Sequence, residues 1–327
     1  MIFKSPESGP RKTVLYHAVS SYQLLEAMAH RLLFHPMDRA CLILPDFITR
    51  KYPHWRRLAR RNFFDTVCLF PYLHIRHTDE EQIVQEVVQA CSERLPAAPE
   101  TFSEIYVAGA HFYFSLYLVR NGIPFCFMED AAGMLSRPWE LYRPLVKRHP
   151  LHAELARIHG LLDGSSPGIR RIICLKSAQT IDVSGPRYED FSLEDVLETL
   201  PSRKRRQIVR FFLKGKIHTR ADSILLTQHF ANLGMMGPEE QKRLYEALRA
   251  RLPVGSGLIV KPHPDDTLDY SSIFPGAQIL STPFPSELLP YVFDHRPRHL
   301  FTVSSTGSEN LKKHFIVHQT ERRERHD

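Results

Sequence analysis

Three short stretches carry the side chains with the most chemical potential. The first is Lys261-Pro262-His263-Pro264, which follows the apolar run Leu258-Ile259-Val260. That run reads as a buried parallel strand. Proline lacks an N–H and fixes φ, so a strand cannot continue through two of them. His263 is thereby held on a stiff backbone at a strand's C-terminal end, the edge at which open α/β sheets bind ligands. An imidazole there can donate a proton or contact a phosphate near neutral pH. The second stretch is Glu129-Asp130-Ala131-Ala132-Gly133, after the apolar segment Ile123 to Met128. Adjacent carboxylates can raise one pKa and yield a general base, and the small residues let a substrate approach the backbone. Acidic residues that only complement a helix dipole fit the same letters equally well. The third is Ser304-Ser305-Thr306-Gly307-Ser308. Its hydroxyls and free N–H groups could cradle a phosphate, or simply cap a helix.

The elements that must position these residues alternate. Residues 13–19 read as a first strand, with Ser20 or Ser21 as the N-cap of a helix from Tyr22 to Leu33. That helix N-terminus could face an acceptor or a donor sugar. Strands follow at 41–44, 66–70, 104–108 and 123–128, with helices at 79–94 and 112–120 between them. Residues 137–155 are rich in Pro and His and read as irregular, and 171–175 reads as the last strand of this half. Helices at 191–200 and 203–213 cross to a second series. There, strands fall at 223–228, 258–260, 277–280 and 299–303, with helices from Pro238 and Pro285. Short apolar strands alternating with helices indicate parallel sheets covered on both faces. The expected architecture is α/β, with two Rossmann-like domains spanning 1–215 and 216–327.

Bulk properties narrow the class. The chain has 327 residues, 43% hydrophobic and 24% charged, which suits a soluble globular protein of roughly two domains. Five scattered cysteines without metal spacing read as buried free thiols in a reducing compartment. No run reaches transmembrane length and no signal-peptide core opens the chain, so a cytoplasmic location is expected. The formal net charge is +7, concentrated at Arg56-Arg57, Arg60-Arg61, Arg203-Lys204-Arg205-Arg206 and Arg322-Arg323. Such clusters suit an anionic partner, including an anionic membrane surface on the inner face, or form a solvated helix face. No nucleic-acid motif is present, and no nucleic-acid partner is expected. Neither Asp-x-Asp nor a His/carboxylate cluster reads as a metal site, so no metal or cofactor is expected.

The ordered set of motifs resembles the bacterial lipooligosaccharide sialyltransferases of glycosyltransferase family 52, and more distantly the bacterial polysialyltransferases. The resemblance lies in Val19 to Ala27, Glu129-Asp130 with Gly133, Leu225-Leu226-Thr227-Gln228, Lys261-Pro262-His263-Pro264, Pro285-Ser286-Glu287-Leu288-Leu289 and Ser304-Ser305. It implies a GT-B fold with an interdomain cleft. It also implies metal-independent, inverting transfer of sialic acid from CMP-sialic acid to a cell-surface glycan. Asp130 or Glu129 would then be the base on the acceptor hydroxyl. His263 would protonate or hydrogen-bond the departing phosphate, Ser304 and Ser305 would hold it with Lys261, and Glu287 would lie near the ribose or base. Gln228, Ser20 and Ser21 complete the expected donor-binding set. Ala131-Ala132 stand where the family's acidic motif has Gly, and Ser20-Ser21 where Thr-Pro is common. Donors such as CMP-Kdo or CDP-glycerol fit the same architecture, as does an inert nucleotide- or glycan-binding protein.

Overall fold

The protein is described by a computed structural model covering residues 11–76, 78–253, 257–303 and 306–320. Two sheets organise it. The first is built from β1 (Thr13–His17), β2 (Arg39–Pro45), β3 (Thr66–Phe70), β4 (Glu104–Ala108), β5 (Phe125–Met128), β6 (Ile169–Cys174) and β7 (Tyr188–Asp190). Their spatial order is β3-β2-β1-β4-β5-β6-β7. The second comprises β8 (Ser223–Leu226), β9 (Leu258–Lys261), β10 (Gln278–Ile279), β11 (His299–Thr302) and β12 (Ile316–Gln319), ordered β10-β9-β8-β11-β12. Every pairing between these strands is parallel. Each sheet reverses its winding beside its first strand, at β1/β4 and at β8/β11. Such a reversal opens a crevice outside the strands' carboxyl ends.

Local chemistry explains most boundaries. The helix Ser21–Phe34 begins at Ser20, whose hydroxyl accepts from the Gln23 N–H while the Gln23 side chain accepts from the Ser20 N–H. That reciprocal capping box satisfies two otherwise orphaned donors. Leu24, Leu25 and Met28 on this helix are fully buried, and each contributes about 1.5–3 kcal/mol by leaving water. β5 starts at Phe125 rather than Ile123, because Pro124 cannot donate to the ladder.

Two parts of the architecture differ from the sequence reading. Residues 137–155 are not irregular: they form the helices Trp139–Arg148 and Pro150–Ile158. Pro150 occupies the first turn, where its missing N–H costs nothing. Leu141, Tyr142, Leu151 and Leu155 turn inward onto the first sheet's core, and this packing outweighs Pro144 inside the first helix. The strand at 169–174 is not the last of its half, since β7 pairs beyond it. β12 is likewise an additional edge strand. After Pro285 the chain forms a 3-10 turn, Ser286–Leu288, before the short helix Leu289–Val292.

The helices Leu193–Thr199 and Ser202–Phe212 link the halves. One buried cluster runs from Tyr16 and Met28 through Leu197 and Phe211 to Leu226, Leu288 and Val292, so apolar packing is continuous between the sheets. All five cysteines are buried and free. Among the described residues, no helix is long and apolar enough to cross a membrane.

Candidate active site

The carboxyl ends of the two sheets face each other across a cavity of 240 Å³. Ser20, Ser21, Lys51 and Asp130 line it from the first domain; Gln228, Lys261, His263 and Glu287 line it from the second. Seven of the sequence-predicted site residues are therefore brought to one cavity from segments more than 200 residues apart. Glu129 is not in the lining. Ser304 and Ser305 lie outside the described residues, next to Gly307, which does line the cavity.

The two adjacent carboxylates part company in their surroundings. Glu129 is 1% exposed. Its Oε1 accepts from the Leu135 N–H at 3.0 Å and from Gln179 Nε2 at 2.7 Å, and its Oε2 accepts from the Leu175 N–H at 3.2 Å. It clamps the turn after β5 to the loop after β6. Gly133 makes that turn possible, with φ of 78° and the Ala178 carbonyl 2.8 Å from where a Cβ would stand. Asp130 instead faces the cavity. Its Oδ1 accepts from Gln23 Nε2 at 2.6 Å, and its Oδ2 has no hydrogen-bond partner. His111 Nδ1 lies 3.4 Å from that free oxygen and is itself unpartnered. A fixed carboxylate with one open lone pair has the attributes of a general base.

Burial pushes the Glu129 carboxyl up to about 7, against the pull of its three donors. Such a group is protonated in the folded chain and ionised in the unfolded one between its ordinary 4.5 and about 7. The folded state then binds more protons, so stability falls as pH rises through that window. The loss is on the order of 3 kcal/mol once both states are ionised. We expect Glu129→Gln, which keeps an amide oxygen for two of the donors, to flatten this part of the melting-temperature profile relative to wild type. An unchanged slope between pH 4.5 and 7 would show that Glu129 is ionised throughout.

The opposite wall is imidazole-rich. The His263 ring is stacked on His229, with centroids 3.8 Å apart and planes 19° from parallel. The Asp265 N–H donates to His263 Nδ1 at 3.2 Å, which leaves the proton on Nε2. Burial, then the neighbouring His229, lowers the His263 pKa to about 3. The ring is therefore a neutral hydrogen-bond donor, not an imidazolium. The Thr227 hydroxyl accepts from the His263 N–H at 3.1 Å and fixes the backbone between the prolines.

Positive charge in the cavity is modest. Lys261 is 7% exposed, lies 4.7 Å over the Phe284 ring, and is lowered by burial to about 8, with Glu287 opposing. Burial raises Glu287 in turn to about 7. Lys51 reaches from the first domain to Asp265 Oδ1 at 2.7 Å, an ion pair across the cleft. Ser21 Oγ accepts from the Tyr52 hydroxyl at 2.7 Å. The Gln228 N–H donates to the Tyr245 hydroxyl at 2.7 Å.

The sequence reading does not include four of the groups found here. His111 follows β4 as Asp130 follows β5, and those strands are neighbours; a strand-end His was the available signal. Lys51 and His229 carry no motif. Glu26, one turn beyond Tyr22, is buried with Oε2 unpartnered, and burial followed by Glu129, Asp130 and Glu287 raises it well above the usual range. His229, His263 and Asp265 also place one possible metal-ligand atom each within 4.8 Å of one another. The nearly parallel rings cannot both aim an in-plane lone pair at one ion, and Lys51 already holds Asp265. As arranged, the cluster suits a positioned hydrogen-bond donor better than a metal.

Comparisons with known proteins agree with this architecture. The chain is similar to a Listeria monocytogenes protein assigned as a UDP-N-acetylglucosamine 2-epimerase, at 12% identity and TM-score 0.54, covering 94% of this chain and 79% of that one. It is similar to Medicago truncatula UGT71G1 in complex with UDP-glucose, at 11% identity and TM-score 0.55, over 95% and 80%. Arabidopsis thaliana UGT89C1, complexed with UDP-L-rhamnose, gives 12% identity and TM-score 0.50, over 95% and 80%. No family model matches the sequence. A Haemophilus influenzae protein of uncharacterised function is 23% identical over 154 residues, 46% of this chain. That stretch is 50% of the relative's own length, so the match extends over about half of it. Two all-parallel α/β domains with these likenesses define the GT-B fold.

Proposed function

We propose that this chain is an inverting glycosyltransferase that takes sialic acid from CMP-sialic acid and attaches it to a cell-surface glycan. The observation that carries the reading is the shared cavity: a fixed carboxylate with a free oxygen on one wall, and a neutral imidazole N–H donor on the other. In this reading residues 1–215 receive the acceptor and 216–327 bind the nucleotide. Asp130 Oδ2 takes the proton from the acceptor hydroxyl as its oxygen attacks the anomeric carbon. The bond from that carbon to the phosphate oxygen breaks, and His263 Nε2–H hydrogen-bonds the departing phosphate. Such donors act most strongly where charge develops in a water-poor site. Lys261 adds charge near the nucleotide. The cavity is smaller than the ~300–1,000 Å³ of typical ligand pockets, so donor entry requires the domains to part.

The electrostatics favour a CMP donor. Lys51 is committed to Asp265, His263 is neutral, and Glu287 offsets Lys261. Such a wall suits a single phosphate at the scissile linkage better than a diphosphate there; the carboxylate of sialic acid brings a further negative charge outside that linkage. On this reading no metal is needed, because one phosphate is within reach of the protein's own donors. A UDP-sugar is the second reading, favoured by the UDP-sugar complexes among the structural relatives. Calorimetry with CMP, CDP and UDP, in magnesium and in chelator, separates them. We expect CMP to bind at least tenfold more tightly than UDP, with no dependence on magnesium. Preference for UDP would move the assignment to the second reading. CMP binding without turnover of CMP-sialic acid, CMP-Kdo or CDP-glycerol would indicate an inert nucleotide-binding protein.

A further inference from the structure

Outside the cleft, the surface holds a strong concentration of unpaired positive charge. Residues 202–216 carry seven Lys or Arg and no Asp or Glu, and residues 53–61 carry four Arg and no acid. These segments lie about 150 residues apart in sequence, and the fold brings them into contact. His54 Nε2 donates to the Phe211 carbonyl at 2.8 Å, and the Tyr52 ring packs on Phe211 and Phe212. The helix Ser202–Phe212 buries Ile208, Phe211 and Phe212 and leaves Arg203, Lys204, Arg206 and Arg210 exposed. Among the described residues, none of the basic side chains in either segment has an ion-pair partner. Of the nearby carboxylates, Glu194 accepts from the Lys313 backbone N–H at 3.2 Å and Glu198 lies 3.2 Å from His314 Nε2; neither pairs with a basic side chain of this face.

A groove of 440 Å³ runs along this face, between the helix and Pro290-Tyr291. Arg205, Arg206, Arg210 and Lys214 line it. The Arg205 guanidinium lies 5.0 Å over the Tyr291 ring, and the Tyr291 hydroxyl is buried without a hydrogen-bond partner. Arg205 also donates to the Leu197 and Glu198 carbonyls at 3.0 and 3.2 Å, which fixes it in the wall. Arg206, Arg210 and Lys214, without ion-pair partners among the described residues, give the groove the donors that a phosphate-sized anion needs.

We propose that this face docks the protein on an anionic lipid bilayer, with a phospholipid headgroup in the groove. Juxtaposed Lys and Arg bind anionic leaflets additively. Trp55, half-buried with Arg56 over its ring at 4.7 Å, is the type of residue that sits at headgroup level. Single-stranded nucleic acid needs exposed aromatic platforms for its bases. On this face Tyr52, Phe63, Phe211 and Phe212 are turned inward, and the partly exposed Trp55 and Tyr291 each already have an Arg over the ring. Lys51, two residues before this face begins, already lines the cleft. The docked orientation therefore sets the cleft beside the membrane surface, where a lipid-borne acceptor can enter. That last step rests on the transferase reading; the docking itself does not.

The test is co-sedimentation of the full chain with phosphatidylcholine vesicles, with and without phosphatidylglycerol, across a salt series. Binding is expected only with the anionic lipid, and salt should weaken it. Arg206→Gln and Arg210→Gln should each cost about fivefold in affinity, as should Arg57→Gln and Arg60→Gln. Arg298→Gln, already paired with Asp222, should change little. Melting temperature and CMP binding should be unchanged in all five. Equal binding to neutral vesicles, no loss in the groove variants, or tighter binding to single-stranded RNA at the same salt would each overturn the proposal. A wild type that binds anionic vesicles but no nucleotide would sink the transferase reading and leave this face intact.

Discussion

The Asp130→Asn variant is expected to lose turnover by about 10²–10⁴-fold while still folding and binding nucleotide. Asparagine retains the oxygen that accepts from Gln23 Nε2, so the side chain keeps its place. What disappears is the basic lone pair on Oδ2, the oxygen with no hydrogen-bond partner. A proton acceptor is needed only as the acceptor hydroxyl attacks, so the loss should fall on kcat, with donor KM little changed. The adjacent Glu129→Gln makes the internal control. Glu129 is held by three donors and does not line the cavity, so its substitution should alter the pH dependence of stability and leave kcat within a few fold. If the effects were reversed, with position 129 controlling rate, the base would have been placed on the wrong carboxylate. His111→Ala tests the remaining neighbour. His111 adjoins Asp130 Oδ2 at 3.4 Å without a hydrogen bond, and a moderate loss with an altered pH profile is expected of a positioning residue.

The alternation of strands and helices is legible because the strands are short, apolar and bounded by breakers. Pro71 closes β3, Pro124 delays β5, and Pro262 ends β9. Each is a backbone constraint that no tertiary contact can relax. Edge strands are another matter. Tyr188-Glu189-Asp190 has no apolar run, because β7 pairs on one side only and is half exposed. Ile316-Val317-His318-Gln319 has the same position in the second sheet. The helices at 139–158 are obscured for the opposite reason. Their prolines argue locally against helix, and only packing of Leu141, Tyr142, Leu151 and Leu155 on the first core overrides it.

The site separates along similar lines. His263 and Asp130 are visible as strand-end residues, since a parallel sheet places all its carboxyl ends along one edge. The choice between Glu129 and Asp130 is not visible. It depends on Leu135, Leu175 and Gln179, which reach Glu129 only once β6 is laid beside β5. Lys51 and His229 are invisible for a further reason: each acts through a partner in another segment, Asp265 and His263 respectively. Pairings of that kind leave no periodicity or spacing in the chain.

His263→Ala is expected to reduce kcat by about 10²–10³-fold, the usual consequence of deleting one donor to a developing negative charge. His263→Gln should recover part of that loss, because its amide can present an N–H near the place of Nε2. Recovery separates a hydrogen-bond donor from a proton-transferring acid, which glutamine cannot replace. The pH profile separates them again. With its pKa lowered to about 3 by burial and His229, the ring stays neutral in the free enzyme throughout the working range. It therefore adds no falling limb to kcat/KM as pH rises through the ordinary imidazole value of 6.5. An imidazolium acid would produce that limb. His229→Phe preserves the stack but removes the second imidazole, and should leave kcat/KM within a few fold. His229→Ala frees the ring to turn and should cost more. If alanine and phenylalanine at 229 behaved alike, the stacking would have no part in aiming His263, and the wall opposite Asp130 would owe its geometry to Thr227 and the two prolines alone.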